Sequence, residues 1–411
     1  MKPQTTTPRI CLLTNSFYPR IGGGENHALR LCQAWRQRGI NVFVLTRRTT
    51  HDLKKHEDLN GLQIHRLPPC GWPRLGKYLV TLPALLALLV RHQDYDLIYV
   101  CGLRVAGIPA MLAARLLNKI CVLRSESRGE FSGDFIWQSP DPRIRQTRWK
   151  PLVRAALRAR NRLLIKASAF VSISREIDDE YRRCGVPAAR IRLIHNGIDT
   201  VRFAPVPPER RLALRRELGL PNLFCFVYAG KLNKGKGLEM LLRAWKGLVT
   251  DQFPAHLVLV GGGAGQFLSC EEFLRDFVKS QGLESHVTFT GYKPDVEHYL
   301  QAADVFVFPS ESEAFSVALL EAMACELACL ASDIPGNREA IEDGINGRLL
   351  PVDDAEAWRN GMADCLRHPE RLPALGKAAR TKVLGNFSIE RVAEEHLALF
   401  RELMAQSTRK P

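Results

Sequence analysis

The sequence predicts an α/β protein made of two Rossmann-like domains, each a doubly wound parallel sheet, facing a cleft. Three observations lead there. Short β-branched runs alternate with segments of helical period along almost all of the 411 residues. Three prolines fall within residues 205–208 and interrupt that alternation as an extended linker would. The charge divides at the same place, because residues 1–200 hold 33 of the 58 Lys and Arg but 15 of the 43 Asp and Glu. The two halves are therefore expected to face different partners. The boundaries that follow are 1–200 for a basic N-terminal domain and 209–384 for the second domain. Residues 385–411 form a terminal helix and tail expected to return towards the first.

In the first half RICLLT, INVFVLT, DLIYV, ICVLR, AFVSIS and RIRLI read as strands of a buried parallel sheet. The second half repeats the habit with LFCFVYAG, HLVLVGGG, VTFTG, DVFVFPS and ACLAS. Strand–helix alternation implies right-handed βαβ units. Ligands of such sheets sit beyond the carboxyl ends of strands, so the loops after strands are the candidate site and the cleft its default position.

Composition excludes several classes. The apolar and charged fractions, 46% and 25%, are those of an ordinary globular protein. Eleven cysteines are scattered without a CxxC, and Cys325 and Cys329 have no His or second Cys pair nearby to complete a zinc site. A reducing, cytoplasmic setting is expected. Residues 1–8 are polar and the apolar run ICLL after them is too short for a signal peptide. The longest apolar run, YLVTLPALLALLV (78–90), contains Pro83 and falls short of the ~20 residues that cross a bilayer. It reads as a buried or interfacial helix.

Two loops combine glycine with charge. NSFYPRIGGGENHALRLCQAW follows the first strand, and Gly22 to Gly24 would let a ligand approach the backbone beside a helix N-terminus. It is not GxGxxG, and a plain tight turn is the other reading. In YAGKLNKGKGLEMLLRAW, Gly230 ends a strand, Lys231 and Lys236 flank a short turn, and Gly237 opens a helix. Cations beside a helix N-terminus would neutralise a diphosphate, and a solvated charge cluster is the alternative.

The segment ESEAFSVALLEAMA (311–324) sets Glu313 and Glu321 eight positions apart with mainly small and apolar residues between. Glu313 stands at the entrance of a helix, where Ala314 to Val317 offer N–H groups to an anion. If the segment is helical throughout, Glu321 lies about two turns on, rotated roughly 80°. Each carboxylate can accept two hydrogen bonds from adjacent hydroxyls, which suits a molecule with a sugar, a diphosphate and a ribose. A capping acid and a salt-bridged helix acid would explain the pair without a ligand.

Taken together these segments resemble the retaining GT-B glycosyltransferases of family 4. The glutamates match the E-x7-E motif of that family, GKLNKGKG its G-R/K-L-x-x-x-K-G, and PRIGGGE its N-terminal glycine loop. ISREIDDEYRRCGVPAARIRLIHNGID resembles the end of its first domain, and SDIPGNREAIEDGINGRLLP the stretch after the second glutamate. The resemblance runs in order over roughly residues 9–400.

The resemblance implies that Lys231 and Lys236 hold the leaving diphosphate, Glu313 accepts from the donor-sugar hydroxyls, and Glu321 accepts from the ribose. It implies that the backbone of Phe315, Ser316 and Val317 reaches the phosphates, that the turn at Tyr292-Lys293 touches the base, and that Gly22 and Gly23 close over the diphosphate. No nucleophile, cofactor or metal is implied. The DxD of Asp94-Tyr95-Asp96 is the metal signature of a different glycosyltransferase fold, and it precedes the strand LIYV at its amino end, away from the expected site. Departures from the family pattern are Ala314 and Ser316 at common glycine positions, and Glu326 and Leu327 where Gly and Pro are typical. In RSESRGEF (124–131) Ser125 or Glu126 fills the neighbourhood where many relatives carry a histidine near the donor sugar.

No acid lies between Asp141 and Glu176, an interval that holds Arg143, Arg145, Arg148, Lys150, Arg154, Arg158, Arg160, Arg162 and Lys166. Arg154, Arg158 and Arg162 share one helix face, with Trp149 and Leu152 at its edge. That pattern fits docking onto anionic lipid. A solvated helix face is the alternative, and no stacking platform for nucleic acid accompanies the charge.

The expectation is a metal-independent, retaining transfer of a hexose from a nucleotide-diphosphate sugar. Its acceptor would be a cell-envelope polysaccharide, such as lipopolysaccharide, or a lipid-linked glycan, at the inner face of the cell membrane. A nucleotide-sugar epimerase of the same fold would act without acceptor. A non-catalytic basic membrane or nucleic-acid adaptor would leave Lys231, Lys236, Glu313 and Glu321 unexplained together.

Overall fold

The computed structural model describes residues 7–19, 22–72, 75–137, 149–263 and 268–407. It divides into two compact units, Met1–Gly197 with Ile389–Pro411, and Ile198–Ser388.

The first unit is built on eight strands, β1 (Ile10–Thr14), β2 (Val42–Arg47), β3 (His56–Leu59), β4 (Leu62–Leu67), β5 (Leu97–Cys101), β6 (Ile120–Arg124), β7 (Ala169–Ser172) and β8 (Ile191–Leu193). Their order is β3-β4-β2-β1-β5-β6-β7-β8, and every pairing is parallel except β3 with β4. The β3–β4 hairpin is absent from the sequence reading. Its signal was Asn60-Gly61, whose φ values of 53° and 82° are both positive, as a two-residue hairpin turn of type I′ requires. Strand order reverses between β1 and β5, which makes their carboxyl ends the switch point of this sheet.

The helices of this unit are α1 (Gly23–Gln37), α2 (Gly76–Leu79), α3 (Thr81–Val90), α4 (Leu103–Leu117), α5 (Asp134–Trp137), α6 (Lys150–Leu164) and α7 (Arg175–Arg183). Right-handed crossovers place α1 on one face of the sheet and α3, α4 and α6 on the other. There α3 packs on α4 and α4 on α6. Gly107 makes the second contact possible, because a Cβ at that position would lie 3.0 Å from Leu164 Cδ2.

The last helix, Ile389–Ser407, completes the core of this unit against α1. Trp35 Nε1 donates to the Ala393 carbonyl at 3.2 Å, and Tyr99 Oη meets His396 Nε2 at 2.8 Å. The rings of Trp35, Tyr99, His396 and Phe400 contact edge to face, with centroids 5.3–6.1 Å apart. Burial pushes the His396 imidazole down to about 3, so it is neutral in this apolar cluster.

The second unit contains β9 (Phe224–Ala229), β10 (Ala255–Val260), β11 (Val287–Gly291), β12 (Val305–Phe308), β13 (Ala328–Ser332) and β14 (Arg348–Leu350) in the parallel order β11-β10-β9-β12-β13-β14. Only β14, three residues long, is missing from the sequence reading. The helices are α8 (Pro208–Glu217), α9 (Leu238–Thr250), α10 (Glu271–Ser280), α11 (Val296–Ala302), α12 (Val317–Ala324), α13 (Pro335–Arg338), α14 (Ala355–Arg367) and α15 (Leu372–Asn386), which makes Ile389–Ser407 α16. Here the order reverses between β9 and β12. The boundaries fall at 197/198 and 388/389, not at 200 and 384. Ile198 already bridges Ser388 and donates to the Phe387 carbonyl at 2.8 Å inside the second unit. No helix among the described residues is long and apolar enough to cross a membrane.

Truncation after Ser388 should act on one unit only. Calorimetry is expected to show the transition of the first unit lowered by about 10 °C or lost, since a core helix is removed. The transition of the second should stay within about 2 °C.

Candidate active site

The carboxyl ends of β9 and β12 hold the lysine loop and the first glutamate of the pair. Gly230 leaves β9 with φ 154°, and the fully buried Tyr228 hydroxyl donates to the Lys231 carbonyl at 3.0 Å, fixing the turn from below. The Leu232 N–H donates to the Gly262 carbonyl at 3.2 Å, and the Glu311 N–H to the Gly235 carbonyl at 3.1 Å. Gly237 caps α9 with φ 66°, and a Cβ there would sit 2.0 Å from the Pro309 carbonyl oxygen. The loop after β9 is thus pressed directly onto the loop after β12.

That contact brings Lys236 and Glu313 together. The ammonium donates to Glu313 Oε1 at 2.5 Å, with the side chains 28% and 16% exposed. The pair spans the switch point of its sheet, where an α/β sheet takes its ligand. Lys231, its backbone anchored, keeps its side chain exposed.

Glu313 is not the helix residue that a continuous helix from 313 would make it. α12 begins at Val317, and Ser316 is its cap, accepting from the Leu319 N–H at 3.3 Å. Ser and Thr are strong caps and Ala-Phe is not, so the helix starts four residues later than the acid. Glu313 stays in the loop, held from behind by Gly336, where a Cβ would meet the Glu313 carbonyl oxygen at 2.3 Å. The N–H groups of Val317 and Ala318 open the helix and have no acceptor within it. Ala314 precedes the buried Phe315, whose ring meets Phe387 edge to face at 5.2 Å. Glu321 is half-buried on α12, and its charge is felt at Arg202, which donates to Glu297 at 2.7 Å.

Lys293 and the exposed Tyr292 follow β11 at the same edge of the sheet. Gly261 ties the edge together by donating to the Gly291 carbonyl at 3.0 Å, while a Cβ on it would lie 1.9 Å from the Gly230 carbonyl oxygen.

In the first unit the switch point between β1 and β5 is occupied by Gly22, Gly23 and Gly24 at the start of α1; Arg20 and Ile21 lie outside the described residues. Over Gly24 lies Glu126, one of whose carboxylate oxygens would be 2.8 Å from a Cβ there. Arg124, fully buried at the end of β6, holds that carboxylate at 3.0 Å and donates to Asn196 Oδ1 at 2.5 Å. Burial pushes the Glu126 carboxyl up, against the pull of Arg124.

Ser125 differs from Glu126. It is fully buried, with its N–H donating to the Tyr181 oxygen at 2.9 Å and its hydroxyl accepting from Tyr181 at 2.8 Å. Of the two residues, only Glu126 reaches the glycine turn. Sequence reasoning missed Arg124 and Asn196; an arginine ending the otherwise apolar strand ICVLR was the available signal. Below the same loop, Glu180 accepts from the N–H groups of Gly129, Phe131 and Ser132, and Arg160 donates to the Glu130 carbonyl at 3.0 Å.

Asp96 of the DxD sequence pairs with Arg9 at 2.6 Å and Asp94 with Arg91 at 3.3 Å. Arg154, Arg158 and Arg162 are exposed on α6, whereas Arg160 is buried; Arg143, Arg145 and Arg148 lie outside the described residues.

Known families match both units. Residues 21–202 match the model for Glycosyltransferase Family 4, and residues 211–382 that for Glycosyl transferases group 1. The chain is 33% identical over 227 residues to the glycosyltransferase EpsD of Bacillus subtilis, an alignment covering 54% of this chain and 58% of that one. It is 28% identical to a D-inositol 3-phosphate glycosyltransferase of Saccharomonospora viridis over 90% of this chain and 86% of the relative. HepE of Anabaena, solved in complex with UDP-glucose, shares the fold with a TM-score of 0.74 at 20% identity, over 96% of this chain and 99% of HepE. The two units form a GT-B glycosyltransferase. The chain belongs to the group 1 glycosyltransferases of family 4.

Burial pushes the Glu130 carboxyl up to about 7, with Arg104 3.5 Å away pulling the other way. A carboxyl raised above its unfolded value binds more protons folded than unfolded, so its contribution is present at low pH and lost as pH rises through 7. Denaturation of wild type and Glu130→Gln should therefore show wild type losing about 2 kcal/mol relative to the variant between pH 5 and pH 8. A pH-independent difference would contradict this.

Proposed function

We propose that the protein transfers a hexose from a nucleotide-diphosphate sugar, with retention, to a glycan or lipid-linked acceptor of the cell envelope. The observation that carries this reading is the Lys236–Glu313 pair across the β9/β12 switch point. Lys231 and Lys236 would take the diphosphate, with the first-turn N–H groups of α12 as further donors. Glu313, released from Lys236, would accept from sugar hydroxyls. Glu321 would take the ribose, and Lys293 would lie near the base. HepE was solved in complex with UDP and with UDP-glucose, which makes a uridine donor the first to test.

In this reading the new bond forms from the acceptor oxygen to the anomeric carbon as the bond from that carbon to the phosphate oxygen breaks. Both lie on the same face of the sugar. The acceptor proton passes to the departing phosphate, so no side chain need act as base. The ammonium groups of Lys231 and Lys236 stabilise the charge that develops on the diphosphate, the role a divalent cation fills in other transferases. No cofactor enters the scheme, and activity should survive EDTA.

For the acceptor side, the exposed Arg154, Arg158 and Arg162 of α6 support contact with an anionic membrane surface, each worth about 1 kcal/mol near the surface.

Lys236→Ala should lower kcat/KM by about 10²- to 10³-fold. Its thermal midpoint should move by less than about 2 °C, because a partly exposed pair contributes little to stability. A panel of nucleotide sugars in a thermal-shift assay should raise the wild-type midpoint for the true donor and not for the variant. Equal loss of midpoint and activity would make Lys236 structural. Conversion of the nucleotide sugar without acceptor would favour an epimerase.

A further inference from the structure

The outer side of α2 and α3 carries a stripe of apolar side chains that the site above does not use. Leu75, Tyr78, Leu79, Leu82, Leu86 and Val90 are each 50–81% exposed. They recur every three or four residues, which is one face of a helix. The opposite face, through Ala84 and Leu88, is buried on the unit. Soluble surfaces rarely leave so large a contiguous apolar patch uncovered.

The stripe extends sideways. α3 packs on α4, whose Leu112 and Leu116 are exposed, and α4 packs on α6, whose Leu152 is exposed beside Trp149. Helices α2, α3, α4 and α6 carry no carboxylate. No Asp or Glu occurs between Asp58 and Asp94, between Asp96 and Glu126, or between Asp141 and Glu176. The exposed cations of these helices are Lys77, which lies 5.0 Å over the Tyr78 ring, Arg115, and Lys150, Arg154, Arg158 and Arg162 of α6.

The charge decides the occupant. A second copy docking through this patch would set the same acid-free, cationic helices against themselves, because a two-fold contact is self-complementary. An anionic lipid surface complements both features: acyl chains take the leucines, phosphates take the cations, and tryptophan and tyrosine suit the boundary between them. We infer that the α3–α4–α6 face is a monotopic bilayer-binding surface, with α2–α3 inserted among the lipids and the α6 arginines resting on phosphate headgroups. This rests on the membrane acceptor proposed above and adds an inserted element to that electrostatic contact.

The test is co-sedimentation of the full chain with phosphatidylcholine vesicles, with and without one-third phosphatidylglycerol. Wild type should pellet with the anionic vesicles and keep part of that binding at about 0.5 M salt, since apolar insertion is not screened. Leu82→Asp/Leu86→Asp should weaken partitioning by at least about tenfold at both salt concentrations. Arg154→Glu/Arg158→Glu/Arg162→Glu should weaken it at low salt only. Both variants should keep the wild-type thermal midpoint, because the altered side chains are exposed.

The inference is overturned if wild type pellets with neither vesicle, or if the leucine variant pellets as wild type does. It is equally overturned if the leucine variant turns a dimer into a monomer on a sizing column while still binding vesicles. Nucleotide-sugar binding measured in parallel separates the two proposals: retained in a protein that ignores vesicles, it leaves the transferase reading standing and removes this one.

Discussion

The arrangement of the second unit depends on one contact, the press of the β9 loop against the β12 loop. Gly237 permits it, since no side chain fits between that residue and the Pro309 carbonyl. Lys236 and Glu313 are its electrostatic product, paired at 2.5 Å. A cation and an anion brought together at partial burial cost desolvation that their attraction must offset. A protein selected for stability alone gains little from such a pair. In the proposed transferase the pair would offer positive charge to phosphate and an acceptor to hydroxyls at neighbouring points. The hydroxyl of Tyr228 beneath Lys231 and the close seat of Gly336 behind Glu313 hold the backbones of the two loops.

The first unit repeats the logic with other residues. Its switch point carries a glycine turn, and a buried arginine presents a carboxylate over it. Arg124 stays cationic despite burial because Glu126 faces it. Asn196, one residue before the end of the contiguous first segment, takes the other side of the guanidinium. The last helix then closes the core behind α1 through Trp35 and Tyr99, so the unit is not complete until the chain has finished the other.

Most of the fold was legible because parallel strands buried on both faces are near-continuous apolar runs bounded by polar loops. Eleven of the fourteen strands among the described residues announce themselves that way, as in ICLLT or FCFVYA. HEDL and RLL did not, being short strands at the sheet edges, and neither did LQIHRL, whose buried residues alternate with more exposed ones. The order of strands, and therefore which loops meet at a switch point, follows from long-range pairing that no local pattern contains. Glu313 and Lys236 could be singled out from their segments, but their mutual contact could not. Ser316 was read as a departure from a glycine, when its oxygen in fact sets where the helix begins. Arg124 was hidden for a different reason: an isolated arginine at a strand end is ordinary until Asn196, far along the chain, is placed beside it.

The proposed exchange of partners at Lys236 and Glu313 is open to direct test by a crystal structure of the protein with a nucleotide-diphosphate hexose. The account predicts density for the diphosphate on Lys231 and Lys236, hexose hydroxyls on the Glu313 carboxylate, and the direct contact between the two side chains broken. Density for the nucleotide elsewhere, with the 2.5 Å pair intact, would contradict it.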